Sequence, residues 1–500
     1  MASRGNAVTP ELTPPTSSLE PSGCGAIFHT RTRFIMMVLV LLCLASIWSN
    51  ILSFNFAVIC FIHNVPSSNN SISETSEPAN ITQATQFTLR ERSYLTSAVA
   101  ASAFVINFVV VALVNRYGIR IVFAFLGMLS ALATLCMPTA IYWGYNWTLA
   151  ARVVQGAAFA SNFPVIGAFT SKWTYYKQNG LFVSVLVAYV QFAPSLTMPI
   201  SGQLCESRWG WPSVFYCHGV LSICLFLIFG IFYRNSPAKH PLVGDIERNK
   251  ISVGKSGLSK KELRRIPYVP ILTTSTVWAI WIAAGANFVV VNIMFLFGPT
   301  VMNKLLQFPI HSSGLSAAVA PIAQFGLKVF AGFTSDKVRF LSENNKLRAY
   351  NSIAFFTSAI FLTLLAFTPI EQRYLCLVFF GCSAGALGFT TGGFFKAGPL
   401  VAKHYSHFVT GNISLCLTFT MIIVPFVVDG LTPNNTAEEW RLVFLFCAGT
   451  LVISNLLFVL MCSAEPAYWT TDAWSRQASK ASKKSTVLSR AQVAPSINLG

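Results

Sequence analysis

The sequence predicts an all-α membrane protein, with twelve transmembrane helices arranged as two six-helix bundles. Three observations predict it. The chain is 54% apolar and only 10% charged, with a mean hydropathy of +0.58. A soluble chain of 500 residues needs far more charge to cover its surface, so its main solvent is a bilayer. The apolar residues gather in runs of spanning length, six on each side of a polar, basic stretch. A short loop motif also recurs at equivalent places in the two halves.

The runs justify the helices in order. Roughly 20 apolar residues cross the hydrocarbon core. Such runs fall at 34–62, 94–114, 119–141, 147–170, 180–203 and 211–233, and again at 271–298, 312–333, 349–368, 374–398, 405–429 and 440–462. The first run is too long for a signal-peptide core and reads as a retained helix. The domain reading is therefore a tail over 1–33, a first bundle over 34–233, a linker over 234–270, a second bundle over 271–465 and a tail over 466–500. Both tails are polar and are expected to be disordered. Pro164, Pro194, Pro199 and Pro425 are expected to kink their helices. Gly385, Gly388, Gly392 and Gly393 let the tenth helix approach its neighbours closely.

Orientation follows from lysine and arginine in the short loops. One set of segments carries Arg31, Arg33, Arg116, Arg120, Lys172 and Lys177, and then the basic linker. The same side continues through Lys337, Arg339, Lys346, Arg348, Lys396 and Lys403 to the lysines of the C-terminal tail. Both termini and the linker are expected in the cytosol. The excess of 35 Lys and Arg over 17 Asp and Glu is topological on this reading, with no nucleic acid implied. Sequons at Asn69, Asn80 and Asn434 fall on the opposite side, where glycosylation occurs; the one at Asn146 sits too close to a helix end for modification. The cysteines form no Cys-x-x-Cys. Cys43, Cys136, Cys224, Cys382 and Cys447 lie in apolar runs, the pattern of buried free thiols rather than of a metal or redox framework.

Ionisable residues inside a membrane cost roughly 2.5–3.5 kcal/mol each on insertion scales and need an explanation. Arg152, in the fourth run, is either an anion clamp or a brace between helices through backbone carbonyls. Lys328, in the eighth, either neutralises an anion or snorkels to the surface. Asn55, Asn107, Gln155, Gln191, Asn287, Asn292, Gln324, Thr390 and Thr391 are polar and uncharged, and are expected to face the bundle interior, lining a cavity or bonding between helices. Asn55, Gln155, Asn287 and Thr391 join the two cations as candidate substrate contacts. His218 is a buried histidine that is either packed or titrating. No Asp or Glu lies in the middle of a run, Asp336 and Asp429 being at boundaries and Glu206 in a short loop. That pattern points to sodium coupling, potential-driven flow or exchange rather than to a proton carrier.

The repeated motif spans Val111 to Arg120, with Asn115, Arg116, Gly118 and Arg120, and then Gly332 to Lys337, with Asp336. Both copies resemble the major-facilitator loop motif, a tight turn whose acid pairs with bases and caps a helix end. The first copy has Val111 for glycine and Asn115 for the acid, which weakens that latch. A six-helix repeat of this kind implies two bundles rocking about a central site.

Further residues narrow the resemblance. Arg152, Gln155 and Gly156 with Asn162, Phe163 and Pro164 look like the fourth helix of the family of sialin, the vesicular glutamate transporters and the type I sodium–phosphate cotransporters. Gly210 to Tyr216, followed by Ser236 to Pro241, is similar to its sixth helix and exit. Ile266 and Pro267, leading into Thr276 to Ile280, resemble the start of its seventh. Leu431 to Thr436, with Glu439, Trp440, Val443 and Phe444, looks most like the sialin branch. The likeness covers about 34–470. It implies secondary active or facilitative transport of small anions: acidic sugars, carboxylates or inorganic phosphate, with Na+ or H+ as the coupling ion and no other cofactor. Ser53 stands where the family has a first-helix arginine, Phe159 where it has an acid linked to proton coupling, and Asn287 where the glutamate transporters carry arginine. These departures weigh against proton coupling and glutamate. The alternative is a non-transporting receptor or scaffold on a transporter fold. No Walker sequence, nucleophile elbow or His-Glu-x-x-His pattern is present, so an enzyme is not expected. The expected setting is a monomer in the plasma membrane or in a lysosomal or vesicular membrane.

Overall fold

The structure is a computed structural model that describes residues 31–63, 87–175, 178–252, 268–338 and 340–470. Among these, every regular element is a helix. The first half contains α1 (Thr32–His63), α2 (Leu89–Tyr117), α3 (Ile119–Leu135 continued by Met137–Trp143), α4 (Tyr145–Trp173), α5 (Leu181–Glu206) and α6 (Pro212–Phe232). The second contains α7 (Ser275–Leu296), α8 (Ile310–Lys337), α9 (Glu343–Phe367), α10 (Arg373–Ala402), α11 (Ser406–Leu431) and α12 (Ala437–Met461). All twelve runs are helices of spanning length once the two pieces of α3 count as one. Large apolar side chains such as Phe125, Ile231, Ile360 and Leu460 are exposed on the outside of the bundle, as a lipid-facing surface requires.

The sharp break falls in α3, which bends by 51° between Leu135 and Met137. Pro138, early in the second piece, has no N–H to continue the ladder of the first. Pro194, Pro199 and Pro425, expected to kink, lie within continuous helices. In α4 the helix is interrupted at Ala160 and Ser161, ahead of Pro164. α10 passes through a 3-10 stretch at Leu387–Gly392 before resuming at Phe394.

The described first part of the linker, 234–252, lies at one end of the molecule, the linker face, together with the start of α1. A short linker helix, Asp245–Ser252, presents Glu247 to that start. The carboxylate accepts from the Thr32 and Arg33 N–H groups at 3.0 and 3.1 Å. An anion there satisfies orphan donors and opposes the helix dipole. At the opposite end, the far face, capping boxes start two helices: Thr88 with Glu91 for α2, and Thr436 with Glu439 for α12. Each satisfies two N-terminal backbone donors.

The bundles meet at the far face. Gly202 of α5 and Gly314 of α8 cross with their backbones in contact: a Cβ on Gly202 would stand 3.1 Å from the His311 carbonyl oxygen, and one on Gly314 would collide with the Met198 carbonyl. Beside this crossing, Glu206 accepts from the His311 backbone N–H at 3.1 Å and meets its Nδ1 at 2.9 Å. On the other flank, Ser97 of α2 donates to the Ile422 carbonyl at 2.8 Å, and Ser93 donates to Asp429 of α11. Also at the far face, a disulfide joins Cys60 of α1 to Cys205 of α5, 145 residues apart. This corrects the reading of the cysteines as carrying no redox framework. Cys136 and Cys224, expected to be buried, are exposed on the outer surface, where lipid rather than protein is their apolar surrounding.

Candidate transport site

The two basic side chains expected inside the membrane lie in opposite bundles, and their surroundings differ. Arg152, on α4, is 0% exposed. Its Nε donates to the Leu95 carbonyl of α2 at 3.0 Å. Its Nη1 donates to the Ile51 carbonyl of α1 at 3.1 Å and to Gln155 Oε1 at 2.9 Å. The guanidinium lies 4.6 Å from the centroid of the Phe54 ring. Gln155 extends the network, donating from Nε2 to the Asn50 carbonyl at 3.1 Å and to Thr134 at 2.9 Å. The Asn50 side chain donates to Ser130 of α3 and accepts from Ser222 of α6. One connected polar system thus ties α1, α2, α3, α4 and α6 together. Only Nη2 of Arg152 lacks an acceptor among the described residues. Of its two expected roles, this conformation displays the brace and not a clamp open to water. Oxygens inside the bundle hold the donors an anion would use, and the side chain is a brace.

Lys328, on α8, is only partly buried, and its Nζ has neither a hydrogen-bond acceptor nor a carboxylate partner among the described residues. The ammonium lies 5.5 Å from the Phe395 ring centroid of α10, and Phe395 meets Phe288 of α7 edge-on at 6.4 Å. Lys337 ends α8 about 14 Å further along the axis. The backbone of α8 is pressed onto α10 at this level. A Cβ on Gly388 would stand 2.6 Å from the Lys328 N and 2.7 Å from the Gln324 carbonyl oxygen, so that position accepts only glycine. Asn287 of α7 and Thr391 of α10 each hold a buried side-chain oxygen without a partner. The second bundle therefore brings an unpaired cation and two unpartnered polar groups onto three neighbouring helices.

Residues 69–425 match the family model described as Major Facilitator Superfamily. The chain belongs to the major facilitator superfamily. It is 30% identical over 367 residues to an uncharacterized transporter of Caenorhabditis elegans, covering 71% of this chain and 74% of that one. It is 26% identical over 345 residues to human sialin, covering 68% and 69%. It is also 26% identical over 362 residues to human sodium-dependent phosphate transport protein 1, covering 71% and 76%. With the vesicular glutamate transporters also among its relatives, it is a member of the family of sialin and the type I sodium–phosphate cotransporters, and a transporter rather than an enzyme. Among solved structures, a D-xylose–proton symporter superposes with a TM-score of 0.61 at 14% identity, covering 86% of this chain and 98% of that one. A bacterial homologue of the human lysosomal transporter Spinster superposes at 0.60 and 13%, covering 85% and 97%. These two share the fold.

The facilitator loop motif has a partner that the sequence did not indicate. Gly118 adopts φ 83°, a left-handed conformation suited to glycine, and a Cβ there would strike the Asn235 side chain. Asn235, just past α6, accepts from the Arg120 N–H at 2.9 Å, and Arg120 Nε donates to the Gly230 carbonyl at 2.9 Å. The turn is thus fastened to α6, while Asn115 and Arg116 are exposed. In the second copy, Lys337 lies 4.1 Å from the Phe333 ring centroid. Gly332 stands against Thr391, its Cβ position 3.9 Å from the threonine methyl. Asp336 lies in α8, and its side chain is outside the described residues.

Other candidates divide between packing and pathway. Asn292 donates to the Leu417 carbonyl and to Thr420, joining α7 to α11. Thr390 is turned back onto the Leu387 carbonyl, and His218 onto the Val214 carbonyl. Gln191 donates to Gln324 at 3.2 Å across the bundle interface. Asn107 is partly buried on α2. Asn55 lines a far-face pocket. Asn434 is exposed, with Nδ2 donating to Glu439 at 3.0 Å; Asn69 and Asn80 lie outside the described residues.

Proposed function

We propose that the chain carries small anions by alternating access between its two bundles, with Lys328 as the charge that receives the cargo. The observation that carries this reading is the ammonium of Lys328, which lies inside the membrane span with no acceptor of its own. A charge placed there without a partner is costly, and an anion is the ligand that removes the cost. Phe395 beside it, with Asn287 and Thr391 on the adjoining helices, gives the mixture of apolar wall and sparse polar groups found in ligand sites. Relatives named for glutamate and phosphate transport support an anionic cargo of carboxylate or phosphate type. Ser53, Phe159 and Asn287 favour cargoes other than glutamate.

The basic loops favour a cytosolic linker face. The Cys60–Cys205 disulfide adds support, because such bonds persist in oxidising compartments and it lies at the far face. The far-face contacts leave the linker face as the side from which this conformation is loaded or emptied.

Uptake of labelled glucuronate, glutamate and phosphate into proteoliposomes, with sodium, proton and voltage gradients imposed in turn, tests the proposal. At least one anion should accumulate or exchange, and Lys328→Ala should abolish it. Wild-type flux of every carried anion by that variant overturns the role of Lys328. Saturable binding without flux across the panel would favour a receptor instead.

A further inference from the structure

The far face holds a second cavity, separate from Lys328. It opens between α1 and α2 of the first bundle and α7 and α11 of the second, with a cavity volume of roughly 70 Å³. Arg92, Asn55, Thr96, Thr300 and Asp429 line it, and Phe54 forms part of its wall. Two donors in this lining have no acceptor among the described residues: Arg92 Nε and Asn55 Nδ2, both buried atoms. The carboxylate in the same lining, Asp429, accepts from Ser93. A cavity whose unmatched groups are donors is complementary to a ligand rich in acceptors.

The charges agree. Arg92 stands in the first turn of α2, where the helix dipole disfavours a cation, so helix stability does not account for it. Lys304, on the segment between α7 and α8 and outside the lining itself, adds a second positive charge close by; partial desolvation and the Arg92 charge hold its ammonium below the ordinary lysine range. Arg92 and Lys304 against Asp429 leave the cavity net positive, and low-dielectric walls strengthen such a field. Phe54 connects this cavity to the interior, since its ring also carries the Arg152 guanidinium.

We propose that this vestibule is an outer anion-binding site, in which Arg92, Asn55 and Lys304 receive a small carboxylate or phosphate from the far side. The Asp429 charge tempers that of Arg92. Because Asp429 also bonds Ser93 across the bundle interface, an anion bound here lies beside a contact that holds the far face shut. The proposal stands independently of Lys328, and its readout is chemical labelling rather than flux, so either reading can fail alone.

The test places a thiol in the lining, Thr300→Cys in the full chain, and compares its labelling by an anionic and a cationic methanethiosulfonate, MTSES and MTSET. Labelling of the parent chain supplies the background. MTSES should react roughly tenfold or more faster, relative to the two rates at a free small-molecule thiol, as expected for a focused positive field. Millimolar inorganic phosphate should slow it. Arg92→Gln should collapse the preference, and Asp429→Asn should increase it. Lys304→Gln, at an exposed position, should lower the preference and serves if Arg92→Gln fails to fold. A rate ratio equal to that of the free thiol, or a preference indifferent to phosphate and to both base-removing variants, overturns the site.

Discussion

The cores of the two bundles each hold one cation, and they treat it in opposite ways. In the first bundle Arg152 is sealed and hydrogen-bonded to α1, α2 and a neighbouring glutamine. In the second, Lys328 is partly open, rests near an aromatic ring and has no hydrogen-bond acceptor among the described residues. The fold tolerates both because the two charges do different work. A guanidinium offers five donors in a fixed plane and can bridge several carbonyls at once, which suits a joint among helices. An ammonium is a compact charge on a flexible stem, which suits a ligand that arrives and leaves. Satisfaction, more than burial, separates the structural cation from the binding one.

The comparison can be broken in several ways. Arg152→Met should have the largest effect, and on the folded state. Polar contacts in membranes are worth about 0.6–1.7 kcal/mol each, so losing the two to α1 and α2 and the one to Gln155 on the same helix removes about 2–5 kcal/mol. Thermal unfolding in detergent should show a markedly lower midpoint; an unchanged midpoint would mean that Arg152 is no brace. Lys328→Met should do the reverse, leaving the midpoint near that of the parent while transport fails. Truncating a desolvated charged contact costs roughly 2–5 kcal/mol, so KM should rise about thirtyfold or more. A large fall in thermal stability with unaltered KM would make Lys328 structural. Gln155→Leu removes two donations and one acceptance from the same network, and should destabilise by about 1–3 kcal/mol with KM unmoved. Smallest is Thr391→Val, which deletes one unpartnered hydroxyl beside the proposed site. It should change KM by about threefold, within the range of one weak polar contact, with no stability loss.

Much of this architecture was legible in the amino-acid order. Hydrophobic runs determine spanning helices because lipid leaves the backbone few alternatives, so all twelve segments were found. The bend in α3 escaped because its run is uniformly apolar through Cys136 and Pro138, and hydropathy is blind to a missing N–H. The sequence placed Arg152 and Lys328 inside the membrane and offered each two roles. It could not decide between them, because the partners of Arg152 include the backbone carbonyls of Leu95 and Ile51, and every residue type has a carbonyl. The Cys60–Cys205 pair carries no spacing signal across 145 residues. Its one hint was position, since both cysteines fall towards the far ends of their runs. Asp429 stands out in the sequence only as a boundary residue and Arg92 carries no signal at all; only the approach of α2 to α11 brings them into one cavity.

The crossing of Gly202 with Gly314 bears on how the molecule moves. Interlocked side chains would have to be withdrawn before two helices could part, and each withdrawal would add a barrier. Here bare main chain rests on bare main chain, so α5 can roll over α8 as on a bearing. A larger residue at Gly314, whose Cβ would strike the Met198 carbonyl, would wedge the two halves apart, and the resting posture of the transporter would be lost through the addition of a single methyl group.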